Sequence, residues 1–97
     1  MYVSFSRSVA LPNGELAAGT YVFELGAPMS EQTIVRVSSR DRRKVYLQAF
    51  TRTVDRPANL KPGTVITFGE SAAGVAPPVD TWYPDGSSTG RQFVYRN

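Results

Sequence analysis

The chain has no cysteine and no histidine. The first absence rules out disulfides and thiolate chemistry and leaves the redox compartment open. The second removes the side chain most often used as general base and as metal ligand. A metal would then have to be a hard ion held by oxygen, such as calcium. Lysine is scarce as well: two lysines and nine arginines carry the positive charge. No apolar run approaches the ~18 residues with which a helix crosses a bilayer. No stretch holds a helical period long enough to predict a helix, and no internal repeat is present.

What is present reads as one small β domain. A chain of 97 residues fits a single domain and buries roughly two-thirds of its unfolded surface, enough for a core without staples. The balance of 41% hydrophobic to 20% charged residues is that of a globular chain. The clearest strand is Thr20-Tyr21-Val22-Phe23-Glu24-Leu25, entered from the small-residue turn Ala17-Ala18-Gly19. Tyr21, Phe23 and Leu25 alternate with Thr20, Val22 and Glu24, the period of a half-buried strand. Residues 3–9 alternate likewise: Val3, Phe5 and Val9 oppose Ser4, Ser6 and Ser8, with Arg7 in the apolar phase. Asn13-Gly14 predicts a tight turn.

Gly26-Ala27-Pro28-Met29-Ser30 ends the clear strand, and residues 33–38 resume the pattern. Ser39-Arg40-Asp41-Arg42-Arg43 reads as a charged hairpin tip. Residues 44–54 form the longest strand: Val45, Leu47 and Ala49 lie on one face, Tyr46, Phe50 and Val54 on the other. Apolar residues on both faces predict a central or bent strand. Further strands are expected at 64–70, with Ile66 and Phe68 facing in, at 79–83, and at 91–95, with Phe93 and Tyr95 on one face. The loops 55–63, 71–78 and 84–90 are rich in proline, glycine and small residues. The expected fold is all-β: one domain over residues 1–97, of about seven short, mainly antiparallel strands, as a sandwich or a small barrel.

The order of segments resembles a group of small secreted bacterial proteins of unassigned function. The residues that carry it are Val3-Ser4-Phe5, Leu16-Ala17-Ala18-Gly19-Thr20-Tyr21-Val22-Phe23, Ile66-Thr67-Phe68-Gly69-Glu70, Trp82-Tyr83-Pro84-Asp85-Gly86 and Phe93-Val94-Tyr95. In that group a Leu-Pro-Ala-Gly-Thr-Tyr segment, an Ile-Thr-Phe-x-Glu strand, a Trp-Phe-Tyr-Pro-Gly turn and a Phe-Val-Tyr-Pro end recur. Here Ala17 stands in place of the proline, the aromatic turn is one residue shorter, and Arg96 replaces the final proline. These departures fall in turns. The resemblance implies a β-rich fold and a secreted or periplasmic origin, with the signal peptide already removed. It implies no activity and assigns no residue.

Several constellations carry chemistry, each with a plainer reading beside it. Trp82 and Tyr83, with Asp80, Asp85 and Gln92 near in sequence, have the makings of a glycan platform. Flat aromatics stack on sugar C–H faces, and carboxylates or amides take the hydroxyls. The plainer reading puts Trp82 in the core, since a lone tryptophan in a small domain more often packs than displays itself. Arg36, Arg40, Arg42, Arg43 and Lys44, with Arg52 and Arg56 beyond, form a basic segment that suits phosphates or sulfated glycans. Its plainer reading is a solvated hairpin tip that blunts a sheet edge.

Among the carboxylates, Glu24 and Glu70 lie on expected strands where an acid–base pair can form. Glu70, in phase with Ile66 and Phe68, is expected to be partly buried against Arg52 or Arg7. The plainer reading is a structural ion pair. Asp80 and Asp85-Gly86-Ser87-Ser88 offer oxygens but no calcium-loop spacing, and Asp-Gly is better read as a turn.

Neither catalysis, nor a cofactor, nor a metal is expected. The leading expectation is a secreted, non-catalytic binding or interaction module for a glycan, a cell-envelope component or another protein chain. The alternative is a self-associating structural protein, a dimer or filament subunit joined by strand edges or an apolar patch. A net charge of +3 suits an anionic partner without requiring one, and nucleic acid ranks last.

Overall fold

The structure is a computed structural model and describes residues 1–26 and 34–95. Among these residues nine strands follow one another: β1 (Tyr2–Phe5), β2 (Val9–Leu11), β3 (Gly14–Leu16), β4 (Gly19–Leu25), β5 (Ile34–Ser39), β6 (Val45–Asp55), β7 (Ile66–Phe68), β8 (Val79–Trp82) and β9 (Thr89–Phe93). Seven form one antiparallel sheet in the order β1-β4-β5-β6-β9-β8-β7, curled into a half-barrel. The remaining pair, β2 and β3, is a separate hairpin. The chain is therefore all-β, and the curl makes it a barrel-like sheet.

The alternation in β4 sets the core. Tyr21 and Phe23 are buried on the concave face. Leu25, at the strand end, is exposed. Val22 has the opposite phase and is buried too, paired with Ser38 of β5 on the convex face. The Phe23 ring centre lies 6.1 Å from Phe5, 5.7 Å from Trp82 and 6.4 Å from Phe93, in the tilted and edge-on contacts that ring quadrupoles favour.

β6 carries the sheet around its bend. Its first half pairs with β5 as far as Phe50, and its second half pairs with β9 from Thr51 onward. A bulge opposite Val37 and Ser38 leaves Tyr46 as an extra residue. Bulged residues are re-aimed, and Tyr46 turns to pack edge-on to Tyr21, 5.4 Å between ring centres. This is why Val45 is exposed rather than sharing the inner face with Leu47.

Other expectations change in detail. Residues 3–9 make two strands, because Ser6-Arg7-Ser8 is exposed and unpaired and lets Val9 turn back into the core as part of β2. The tight turn expected from Asn13-Gly14 forms within Leu11–Gly14: Leu11 pairs with Gly14, Pro12 and Asn13 are its centre, and Gly14 opens β3 at φ 149°. A second bulge, opposite Thr67 and Phe68, leaves Asp80 as an extra residue in β8. Phe68, which ends that edge strand, is 46% exposed while its ring still meets that of Phe5, and Glu70, beyond the strand, is exposed where it was expected to be partly buried. Tyr95 lies beyond β9 rather than within it, and Gly90, expected in a loop, pairs with Val54 inside β9. The break expected over 27–30, Glu31, the start of the strand at 33, and Arg96 lie outside the described residues.

The β2–β3 hairpin is fastened to the sheet by its backbone. Val9, Leu11 and Leu16 join the common core. Ala10 N–H donates to the Pro77 carbonyl (2.9 Å), and Asn13 Nδ2 donates to the Tyr46 carbonyl (2.8 Å). The Tyr95 hydroxyl donates to the carbonyl of Val79 (2.6 Å) and reaches that of Ala10 (3.2 Å). Burial first, then the Asp80 carboxylate, push this phenol up to about 12. No helix among the described residues is long and apolar enough to cross a membrane.

Candidate functional site

Consecutive residues of an extended strand point to opposite faces, and this separates Trp82 from Tyr83. Trp82 enters the core against Phe23 and is 2% exposed, with its indole Nε1 lacking a hydrogen-bond partner among the described residues. Tyr83 is buried on the other side, its N–H donating to the Val65 carbonyl at 2.8 Å. The guanidinium of Arg56 sits 5.3 Å from the Tyr83 ring centre. Neither ring presents a flat face for a sugar to stack on, so the expected aromatic platform is not formed. Trp82 emission is accordingly expected to be blue and poorly quenched by acrylamide. A red, readily quenched signal would contradict this burial.

The polar residues grouped with them scatter. Asp80 is half-buried and accepts a hydrogen bond from Thr81 Oγ1 (2.9 Å). Gln92 is half-buried on β9, opposite Arg52 and Thr81. Asp85 is exposed in the turn after Tyr83, where Gly86 has φ 78°. Only Asp85 and Tyr83 share a depression, with Arg56 and Ser87. Among the described residues no three acidic side chains converge as a metal site would require.

The basic residues divide. Arg36 lies mid-sheet on β5 and its Nε donates to Gln48 Oε1 (3.1 Å). Arg40, Arg42, Arg43 and Lys44 are exposed at the β5–β6 tip. That tip is tightly held. Asp41 accepts from Ser39 Oγ (2.6 Å) and from the Arg43 N–H (3.0 Å), and these bonds hold its carboxyl below the usual range. Arg42 adopts φ 62° and lies 3.7 Å from Glu24; Arg43 lies 3.9 Å from Asp41. Lys44 Nζ sits 5.1 Å from the Tyr46 ring centre. Two of the four tip cations are thus matched by carboxylates. Glu24 faces Arg36 across the β4–β5 ladder, and Glu70 pairs with neither Arg7 nor Arg52. The Glu24–Glu70 acid–base pair is not assembled.

The feature the sequence left unmarked is the seam between the two ends of the sheet. Among the described residues β1 pairs only with β4, and β7 only with β8. Between these free edges lies an open cleft of about 530 Å³. Val3, Phe5, Val9, Ile66 and Phe68 give it an apolar lining. The Phe5 and Phe68 rings bridge the two edges, 6.3 Å between centres. Arg7 is the one charged side chain on the lining, and it has no ion-pair partner among the described residues.

The ladders show which backbone groups face the seam. Met1 and Phe23 exchange two hydrogen bonds, Phe23 N–H to the Met1 carbonyl (2.8 Å) and the Met1 ammonium to the Phe23 carbonyl (3.0 Å). Bonding and non-bonding pairs alternate along an antiparallel ladder, so Val3 and Phe5 bond to β4 while Tyr2 and Ser4 turn their N–H and C=O to the seam. The Tyr83-to-Val65 bond makes Ile66–Trp82 a non-bonded pair by the same rule, so Ile66 turns its N–H and C=O to the seam from β7. Among the described residues the seam is thus an apolar trough walled by main-chain donors and acceptors that no strand pairs. Among the described residues its lining carries no carboxylate. No residue pattern in the sequence marks these two strands as the ends of the sheet.

No known protein family, curated protein or solved structure matches the chain.

Proposed function

We propose that this chain is an exported, non-catalytic interaction module whose binding surface is the open β1/β7 seam. The observation that carries this reading is the combination of an accessible apolar lining with free backbone groups on both walls. Such a trough binds by shape and main-chain hydrogen bonds. The absence of histidine and cysteine from the chain supports a role without acid–base or thiol chemistry. Export rests on the resemblance of the strand and turn order to small secreted β proteins. A glycan partner is disfavoured, because the aromatic pair that would anchor it is buried.

Self-association is the second reading, and one observation favours it. Ile34 and Phe50 are cross-strand partners on the convex face, and Phe50 is 71% exposed. That apolar spot is a natural contact for a second copy.

A ligand-independent test of the seam uses a small apolar probe, anilinonaphthalene sulfonate, followed by backbone amide NMR. The expected shifts cluster on Tyr2, Ser4, Thr64 and Ile66 and saturate. Shifts centred on Phe50 and Ile34 would overturn the seam as the binding surface and favour the convex face, and scattered, non-saturating shifts would overturn it outright.

A further inference from the structure

Resting on that reading of the seam, we propose that its occupant is an extended polypeptide segment of another protein, running antiparallel to both β1 and β7. The argument begins from strand direction. In a fully antiparallel sheet directions alternate, so the first and seventh strands of this order run the same way. The contact between Phe5 and Phe68, each the last residue of its strand, agrees with that. Direct closure would therefore force a parallel pair, whereas one added strand opposed to both edges continues the pattern unbroken. Seven strands plus one make eight, a number at which side chains just fill a barrel interior.

The space agrees with a strand. A strand residue occupies roughly 160 Å³, from a rise of ~3.3 Å, a spacing of ~4.8 Å and a sheet thickness of ~10 Å. The cleft of about 530 Å³ thus holds about three residues. That matches the four residues of β1 and the three of β7. The backbone groups of Tyr2 and Ser4 on one wall and Ile66 on the other would pair with it.

Charge gives the segment its polarity. Arg7 follows the end of β1, and an antiparallel partner brings its N-terminal end there. The chemistry that matches is an acidic residue at the start of the segment, followed by apolar residues at alternate positions facing Val3, Phe5 and Ile66.

The test selects short random peptides displayed on phage against the folded protein, then synthesises the enriched sequences. Expected sequences carry the acidic start and the alternating apolar pattern. Their binding slows amide hydrogen exchange at Tyr2, Ser4 and Ile66. Methylating alternate peptide nitrogens abolishes binding, because each lost N–H removes a ladder bond. Arg7→Glu, at an exposed position that leaves the core untouched, weakens the acidic peptides about tenfold, and peptides with lysine in the acidic place recover it.

Unimpaired binding of the methylated peptides would overturn strand addition. So would a selection whose binders protect no seam amide. Protection of those amides by protein alone, rising with concentration as mass doubles, would make a second copy the occupant and overturn the proposed partner. If the apolar probe fills the seam but no peptide does, the peptide proposal fails while the interaction surface stands. If neither enters, both fail.

Discussion

Phe23→Ala is expected to cost ~3–5 kcal/mol and to lower the melting temperature by roughly 12–40 °C. Phe23 is fully buried and its ring touches those of Phe5, Trp82 and Phe93, so three elements of the curled sheet meet on one side chain. Truncation removes the transfer energy of the ring and leaves a cavity whose walls belong to β1, β8 and β9. These strands are tied into the sheet by their backbones and collapse only partly onto the space. A small domain holds about 5–15 kcal/mol in all, so this one change consumes a large share. Phe50→Ala is the control within the same chain. Phe50 is 71% exposed, so its truncation is expected within ±0.5 kcal/mol. Thermal unfolding followed by circular dichroism measures both. Equal shifts for the two variants would mean that the core is not centred where the aromatic contacts place it.

Periodicity carried the sequence reading where strands alternate cleanly. Val3, Phe5, Val9, Tyr21, Phe23, Val35, Val37 and Leu47 all face the core, as their phases predict. It failed where one inserted residue resets the phase. The bulge at Tyr46 turned that residue inward and Val45 outward, and the bulge at Asp80 placed an extra, half-buried residue in β8. Neither bulge is marked by a glycine, so local sequence carried no sign of them. The Trp82-Tyr83 platform failed for a geometric reason already present in the chain: neighbours on a strand cannot share a face. The seam was illegible for a different reason. A hydrophobic phase says which residues lie inward, but not which strands end a sheet. Tyr2, Ser4 and Ile66 acquire free backbone groups only because β1 and β7 fall at opposite ends of the strand order.

Gly90→Ala is expected to destabilise the fold by ~1–3 kcal/mol, although Gly90 needs no unusual backbone angle. The cause is space. A Cβ at Gly90 would lie 2.6 Å from Cδ1 and Cε1 of Tyr83 and 2.8 Å from Cγ2 of Thr81. These are ring and β-branched carbons of buried side chains, not the loose ends of flexible ones, so they yield only by moving the strand. The ring is held from elsewhere as well: Arg56 lies over it and donates to the carbonyls of Thr64 (2.8 Å) and Lys61 (2.9 Å). A double-mutant cycle with Tyr83→Ala isolates the clash. Alanine at position 90 is expected to cost little once the ring is gone, with urea slopes unchanged across the cycle. An undiminished cost without the ring would assign the effect to the β6–β9 ladder instead. The consequence reaches the seam. Tyr83 N–H holds the Val65 carbonyl just before β7, so a displaced Tyr83 loosens the very edge that an incoming strand would join. Gly90→Ala should therefore raise amide exchange at Tyr83, whose N–H makes that bond, before it unfolds the domain, while Val3 and Phe5, bonded to β4, keep their protection.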